Sequence, residues 1–166
     1  MNIAQMNVLA IDQGTTNTKA LLITQSGDIL ARASVPLTTT YPPPGWAEQS
    51  GIDIWTSVET AVARITATGL PIQAVAITNQ RETLVVWDAD TSQPICPAIL
   101  WQCRRTAEAC AALMQHHPEV TVATGLGINP LFPASKLAWV LQNIPQATDH
   151  LAQNRFRAGT VDAWLL

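Results

Sequence analysis

Charge is scarce in this sequence. Only 13% of its 166 residues are Asp, Glu, Lys or Arg, and nine lysines and arginines stand against twelve acids. No broad basic surface can be assembled from that balance, so neither nucleic acid nor an anionic membrane is expected as a partner. Long apolar runs are missing as well: none approaches the roughly 20 residues that span a bilayer, which predicts a soluble chain. Its start, MNIAQMN, has neither the basic region nor the apolar stretch of a secretory leader and predicts a cytoplasmic location. Cys96, Cys103 and Cys110 are odd in number and form no CxxC pair. A disulfide framework and a zinc site are thereby excluded, and three reduced thiols are expected. Two phosphate-binding fingerprints are also absent, GxxxxGK[ST] and GxGxxG.

Tryptophan runs against this economy. Six of them in so weakly charged a chain make it more apolar than a self-contained domain of this length needs, so part of its surface is expected to meet something else, with self-association as the consequence. The length itself predicts a single domain over residues 1–166.

Along the chain, Val8–Ile11, Lys19–Ile23 and Ile29–Val35 read as an antiparallel meander of three strands. YPPPGW (41–46) is a stiff extended loop, because consecutive prolines can neither donate to a ladder nor continue a helix. Ser50 and Asp53 resemble a capping box for a helix whose apolar face is Ile54, Trp55, Val58, Ala61, Val62 and Ile65, with Gly69 and Pro71 as the stop. Strands follow at Ile72–Thr78 and Thr83–Trp87, and Asp88–Ser92 makes a turn. After a short apolar run at Ala98–Trp101, helices are predicted over Thr106–Gln115 and Pro133–Asn143. The second starts on proline, as a first helical turn allows. Phe156–Val161 reads as a strand, leading into a short helix from Thr160 or Asp162. This order predicts an α/β domain with a mixed sheet.

Three segments carry chemistry. In LAIDQGTTNTKALLI, Gly14, Thr15 and Thr16 leave backbone amides open to a phosphate, Asp12 suits a hydrated magnesium ion, and Lys19 adds positive charge. The same spacing also suits an ordinary hairpin with Asp12 in an Asx-turn. In ITNQRETLVVWD, Arg81 and Glu82 set a planar donor fork beside a carboxylate, the pair needed to grip adjacent hydroxyls, and also the makings of a surface ion pair. In ILWQCRRT, Trp101 can pack against a carbon chain. Arg104 and Arg105 oppose the dipole of the helix they precede, which favours a functional or interface role.

In their order, IDQGTT, PPPGWAEQ, ITNQRET, ILWQCRRT, NPLF-ASKLAWVL and GTVDAWLL closely resemble the glycerol-kinase-like branch of the FGGY carbohydrate kinases, from about Val8 to Leu166. NQRE with WQCRR carries the branch; IDQGTT alone marks only the wider actin, Hsp70 and sugar-kinase ATPase fold. The resemblance implies a ribonuclease H-like α/β domain with a mixed five-stranded sheet flanked by helices. It implies ATP and Mg²⁺ as cofactors and transfer of phosphate to a terminal hydroxyl of glycerol or a related polyol or sugar. By the same resemblance Asp12 lies near the metal, Gly14, Thr15, Thr16 and Lys19 near the phosphates, and Arg81, Glu82 and Trp101 at the polyol. A homo-oligomer is expected.

Departures from the family pattern qualify that expectation. Leu131 stands where a substrate-binding tyrosine is usual, Asn129 where an aspartate is common, Lys19 for arginine and Pro133 for serine. The family's general base and adenine-binding domain correspond to sequence beyond Leu166, so no catalytic residue is assigned. The chain is expected to be inactive alone, a missing C-terminal domain being its partner. The alternative is a non-catalytic, degenerate kinase-like domain that binds a polyol or a protein.

Overall fold

The structure, a computed structural model, describes residues 6–166; most of the segment behind the leader reading, residues 1–5, lies outside the described residues. In chain order come strands β1 (Asn7–Gln13), β2 (Asn17–Thr24), β3 (Ile29–Pro36) and β4 (Glu48–Gln49), then helix α1 (Gly51–Thr66). Strands β5 (Ala74–Asn79), β6 (Leu84–Asp88) and β7 (Ala98–Ile99) follow. Helices α2 (Ala107–His116), α3 (Pro118–Thr124), α4 (Pro133–Asn143) and α5 (Pro145–Ala152) precede β8 (Phe156–Thr160) and α6 (Val161–Leu165). The chain divides into two compact units. One takes in the chain up to Thr39, Ile52–Gln80 and Leu165; the other takes in Thr40–Gly51, Arg81–Trp164 and Leu166.

The first unit is built on the predicted meander. Its sheet runs β3-β2-β1-β5, with β1–β2 and β2–β3 antiparallel and β5 parallel to β1. Alternation along β1 and β2 buries Leu9, Ile11, Ala20 and Leu22, and α1 contributes Ile54, Val58, Ala61 and Ile65 at helical spacing. The Thr18 and Ser57 hydroxyls, 2.6 Å apart, tie β2 to α1. Edge strand β5 leaves Val75 and Ile77 exposed.

The second unit holds an antiparallel sheet ordered β4-β7-β6-β8. Leu84, Val85 and Val86 of β6 are all buried, as befits a strand covered on both faces. The core gathers Ala47, Leu84, Val86, Ile99, Leu100, Cys103, Val140 and Ala147. Gly51 is required at the start of α1: a Cβ there would lie 2.9 Å from Pro94 Cγ and 3.5 Å from Val85 Cγ1.

The predicted five-stranded sheet is thus corrected to two four-stranded sheets, the first of them mixed. Two strands were illegible because β4 and β7 have two residues each, too few for any periodicity. β6 pairs with β7 and with β8 rather than extending the sheet of β5. Helices α3 and α5 were also unread; both open on proline, α3 buries nothing and α5 buries only Ala147. Helical spacing sets Ala107, Cys110, Leu113 and Met114 on one face of α2, but the expected burial of that face is corrected, since Cys110 is buried while Leu113 and Met114 remain about half exposed. No helix among the described residues is long and apolar enough to cross a membrane.

Candidate functional site

The polar turn after β1 is a tight loop, closed by the Gly14 N–H donating to Asn17 O at 3.0 Å. A Cβ on Gly14 would stand 3.0 Å from that same oxygen, so a larger residue there would have to push the turn apart by a few tenths of an ångström. The loop is held from below by neutral groups. Gln80 N–H donates to Gln13 O at 2.7 Å, the two side-chain amides meet at 3.3 Å, and the Thr15 hydroxyl donates to Gln80 Oε1 at 3.3 Å. Gln13 Nε2 donates to Gly14 O at 2.9 Å. Asp12 and Lys19 are cross-strand partners, both exposed. The structure therefore brings together Asp12, Gly14, Thr15, Thr16 and Lys19, all five of the residues read as phosphate- and metal-side, within the first unit. Asp12 lies in strand β1 rather than in the Asx-turn that its spacing also allowed. Among the described residues no three His, Cys, Asp or Glu side chains form a metal cluster. A single exposed carboxylate fits magnesium that retains its waters and is shared with phosphate oxygens.

Arg81, Glu82, Trp101 and Leu131 all lie in the second unit. Glu82 occupies the left-handed region at φ 65°, a conformation sparsely populated by side-chain-bearing residues. The Trp101 N–H donates to the hydroxyl of buried Thr83 at 3.2 Å, which fixes the start of the tryptophan segment to the residue after Glu82. Leu131 N–H donates to Asn129 Oδ1 at 2.9 Å. Lys136, fully buried in the first turn of α4, donates from Nζ to the carbonyls of Glu82 and Leu131, each at 2.6 Å. Burial pushes its ammonium down to about 8, with Arg105 adding to that effect and Glu82, Cys103 and Cys110 opposing it. Thr83 and Lys136 thus tie three of the four predicted substrate residues to one another. Sequence reading passed over both. A lysine four residues before Val140, on the buried face of α4, was the available signal.

Two further ionic groups support this unit. Arg105 lies 2.5 Å from Glu48, and its guanidinium carbon sits 3.8 Å from the centroid of Trp46 and 4.5 Å from that of Trp139. It is a structural clamp, while Arg104 is exposed. Asp88 Oδ1 accepts from the Asp90 and Thr91 amides, as the predicted turn requires, while Oδ2 lies 2.5 Å from Arg155 and 2.9 Å from His150 Nε2. Burial acts to raise the Asp88 carboxyl, but the Thr91 and Asp90 amides, the Thr91 hydroxyl and Arg155 together outweigh it and hold it at about 2. The three cysteines are free, as expected; burial pushes the Cys96 thiol up to about 11, which leaves it unreactive.

The model of the FGGY family of carbohydrate kinases, N-terminal domain, matches residues 7–166. The chain belongs to that family. This FGGY chain is 45% identical over 165 residues to a glycerol kinase of Burkholderia vietnamiensis and 43% to one of Symbiobacterium thermophilum, covering 96% of its own length and 33% of theirs. It therefore spans about a third of the curated relatives that it matches. Among solved structures, a Plasmodium falciparum glycerol kinase with ADP superposes with a TM-score of 0.91 at 27% identity, covering 97% of this chain and 33% of that one. A xylulose kinase of Rhodospirillum rubrum gives 0.77 at 27% identity over 84% of this chain and 30% of its own. The α/β fold is that of the actin and Hsp70-like sugar kinases.

Proposed function

We propose that residues 1–166 form the phosphate- and substrate-side N-terminal domain of an ATP-dependent carbohydrate kinase. Its complete form phosphorylates a terminal hydroxyl of glycerol or a related polyol or sugar. The observation that carries this reading is the joint anchorage of Glu82, Trp101 and Leu131 through Thr83 and Lys136, in a chain 45% identical to a glycerol kinase.

Each residue has a physical task in it. The Arg81 fork donates to, and the Glu82 carboxylate accepts from, adjacent hydroxyls; Trp101, 42% exposed, packs its ring on the carbon chain. Leu131 offers an apolar contact without a hydroxyl, which admits a polyol larger or less polar than glycerol. The Thr15–Thr16 segment and Lys19 neutralise phosphate charge, the Gly14 amide being committed to Asn17 O, and Asp12 would hold magnesium, which supplies further neutralisation when bound. In the transfer, the bond from the γ-phosphorus to the bridging oxygen breaks as one to the polyol oxygen forms. No residue of this chain is assigned to take the hydroxyl proton, so we expect the chain alone to be inactive and to need a C-terminal domain. We further propose a cytoplasmic protein that self-associates, supported by exposed Val75 and Ile77 on edge strand β5.

The test grafts this chain onto the remaining two-thirds of the Burkholderia vietnamiensis glycerol kinase. ADP release with MgATP is then measured over glycerol, erythritol, pentitols and ketopentoses. Turnover on one of them supports the kinase and shows what Leu131 admits. A folded graft silent on all of them would move the reading to a non-catalytic binder.

A further inference from the structure

Lys136 is the largest fully buried side chain of the described residues at 0% exposure. It is the fourth residue of α4, where the positive end of the helix dipole disfavours a cation. Stability alone does not call for lysine here, because replacing a buried ionic group by an apolar one of similar volume is often neutral or favourable. What the ammonium does instead is specific. It donates to Glu82 O, 54 positions away in sequence, and to Leu131 O, each at 2.6 Å. One of these two carbonyls belongs to a glutamate in the left-handed region, at φ 65°.

We propose that Lys136 is a positioning residue, whose ammonium cross-links the main chain at Glu82 and Leu131 and so sets the spacing of the two loops that face the polyol. The assignment of those loops to a polyol rests on the function proposed above; the cross-link itself does not. Lys136 does not touch substrate in this arrangement. It acts through the two peptide units that it holds, whose amide groups are those of Thr83 and Phe132.

Two readouts on the 166-residue chain separate these claims. Residue-level hydrogen exchange is compared for the wild type, Lys136→Met and Lys136→Arg. The cross-link predicts at least tenfold faster exchange at Thr83 and Phe132 in Lys136→Met, little change at Val85 and Val86 in β6, and partial restoration by Lys136→Arg. Unchanged exchange at Thr83 and Phe132, or acceleration spread evenly over the unit, overturns the proposal. Glycerol, erythritol and xylitol are then titrated while the Trp101 indole signal is followed. A Kd at least tenfold weaker in Lys136→Met links the cross-link to the site, and an equal Kd overturns that link. If the wild type answers no polyol, the polyol reading fails by itself and the exchange result alone decides for Lys136. Should Lys136→Met not fold, the wild-type carbonyl carbon shifts of Glu82 and Leu131 are followed from pH 6.5 to 9.5. The groups around the ammonium there are the Glu82 carboxylate, Arg105, and the Cys103 and Cys110 thiols. Both carbonyls moving with one midpoint supports the cross-link; separate midpoints or no movement overturn it.

Discussion

Among the described residues of the first unit the buried polar side chains are Asn7, Gln13, Thr18, Ser57 and Gln80, none of them charged; in the second they include Asp88 and Lys136, and Arg105 shows only 2% exposure beside Glu48. Amides and hydroxyls both donate and accept, so Gln13, Gln80 and Thr15 close their network within a few ångströms without stripping water from an ion. Buried ions are less forgiving. Each of those in the second unit must find its whole set of partners, and part of that set comes from distant segments: Glu48 for Arg105, Glu82 for Lys136, Arg155 and His150 for Asp88. The loop read as phosphate-side is thereby held by neutral groups, Gln80 among them from 65 positions away, whereas the loops read as substrate-side are held by buried charge.

Breaking the ion pair between Arg105 and Glu48 should have the largest effect. Arg105→Ala strands the Glu48 carboxylate and opens the space between Trp46 and Trp139; a loss of about 3–5 kcal/mol is expected in denaturant titration. A loss under about 1 kcal/mol would mean that the ionic unit does not depend on its ions. Gly51→Ala tests packing rather than charge in the same unit, and its clash with Pro94 should cost about 1–3 kcal/mol. In the neutral unit, Gln13→Leu leaves the Gly14 carbonyl and the Gln80 amide without their partner, for about 1–2 kcal/mol. That cost should stay constant from pH 4 to 9.

Titration sharpens the contrast further. The Asp88 carboxyl sits at about 2 against an ordinary 3.8. The stability it contributes is therefore complete above pH 3.8 and is lost as the pH falls through 2. NMR signals of the second unit should broaden in that window before those of the first. Lys136 works in the opposite sense. At about 8 in the fold against 10.5 outside it, its charge is a burden below pH 8 that is relieved as the pH climbs from 8 to 10.5, so unfolding free energy should rise there. The smallest change is expected at the surface. Asp12→Asn should move stability by less than about 0.5 kcal/mol while removing the magnesium-dependent part of ADP binding, measured by calorimetry with and without Mg²⁺.

How much of this was legible follows the same division. The meander and the turn at Asp88 rest on contacts between residues near one another in sequence, and each is found where alternation or turn chemistry placed it; the α1 face is found at Ile54, Val58, Ala61 and Ile65, but Trp55, expected on it, is 40% exposed. The arrangement of β6 between β7 and β8 was not legible, because a short apolar strand carries no mark of which neighbour it will choose. In the candidate site, the glycine-and-threonine loop was readable from its small side chains. Lys136 was not. A lysine on an apolar helix face declares that it needs acceptors without saying where they are.

By itself the sequence determined the local geometry of the hairpin read as phosphate-side and membership of a kinase family, since each depends on residue type at short range. Tertiary structure alone decided that Arg105 is clamped by two tryptophans rather than displayed on a helix end. It also decided that one ammonium joins Glu82 to Leu131. The physical reason is that a buried ion is stable only where distant chain segments converge to replace its water.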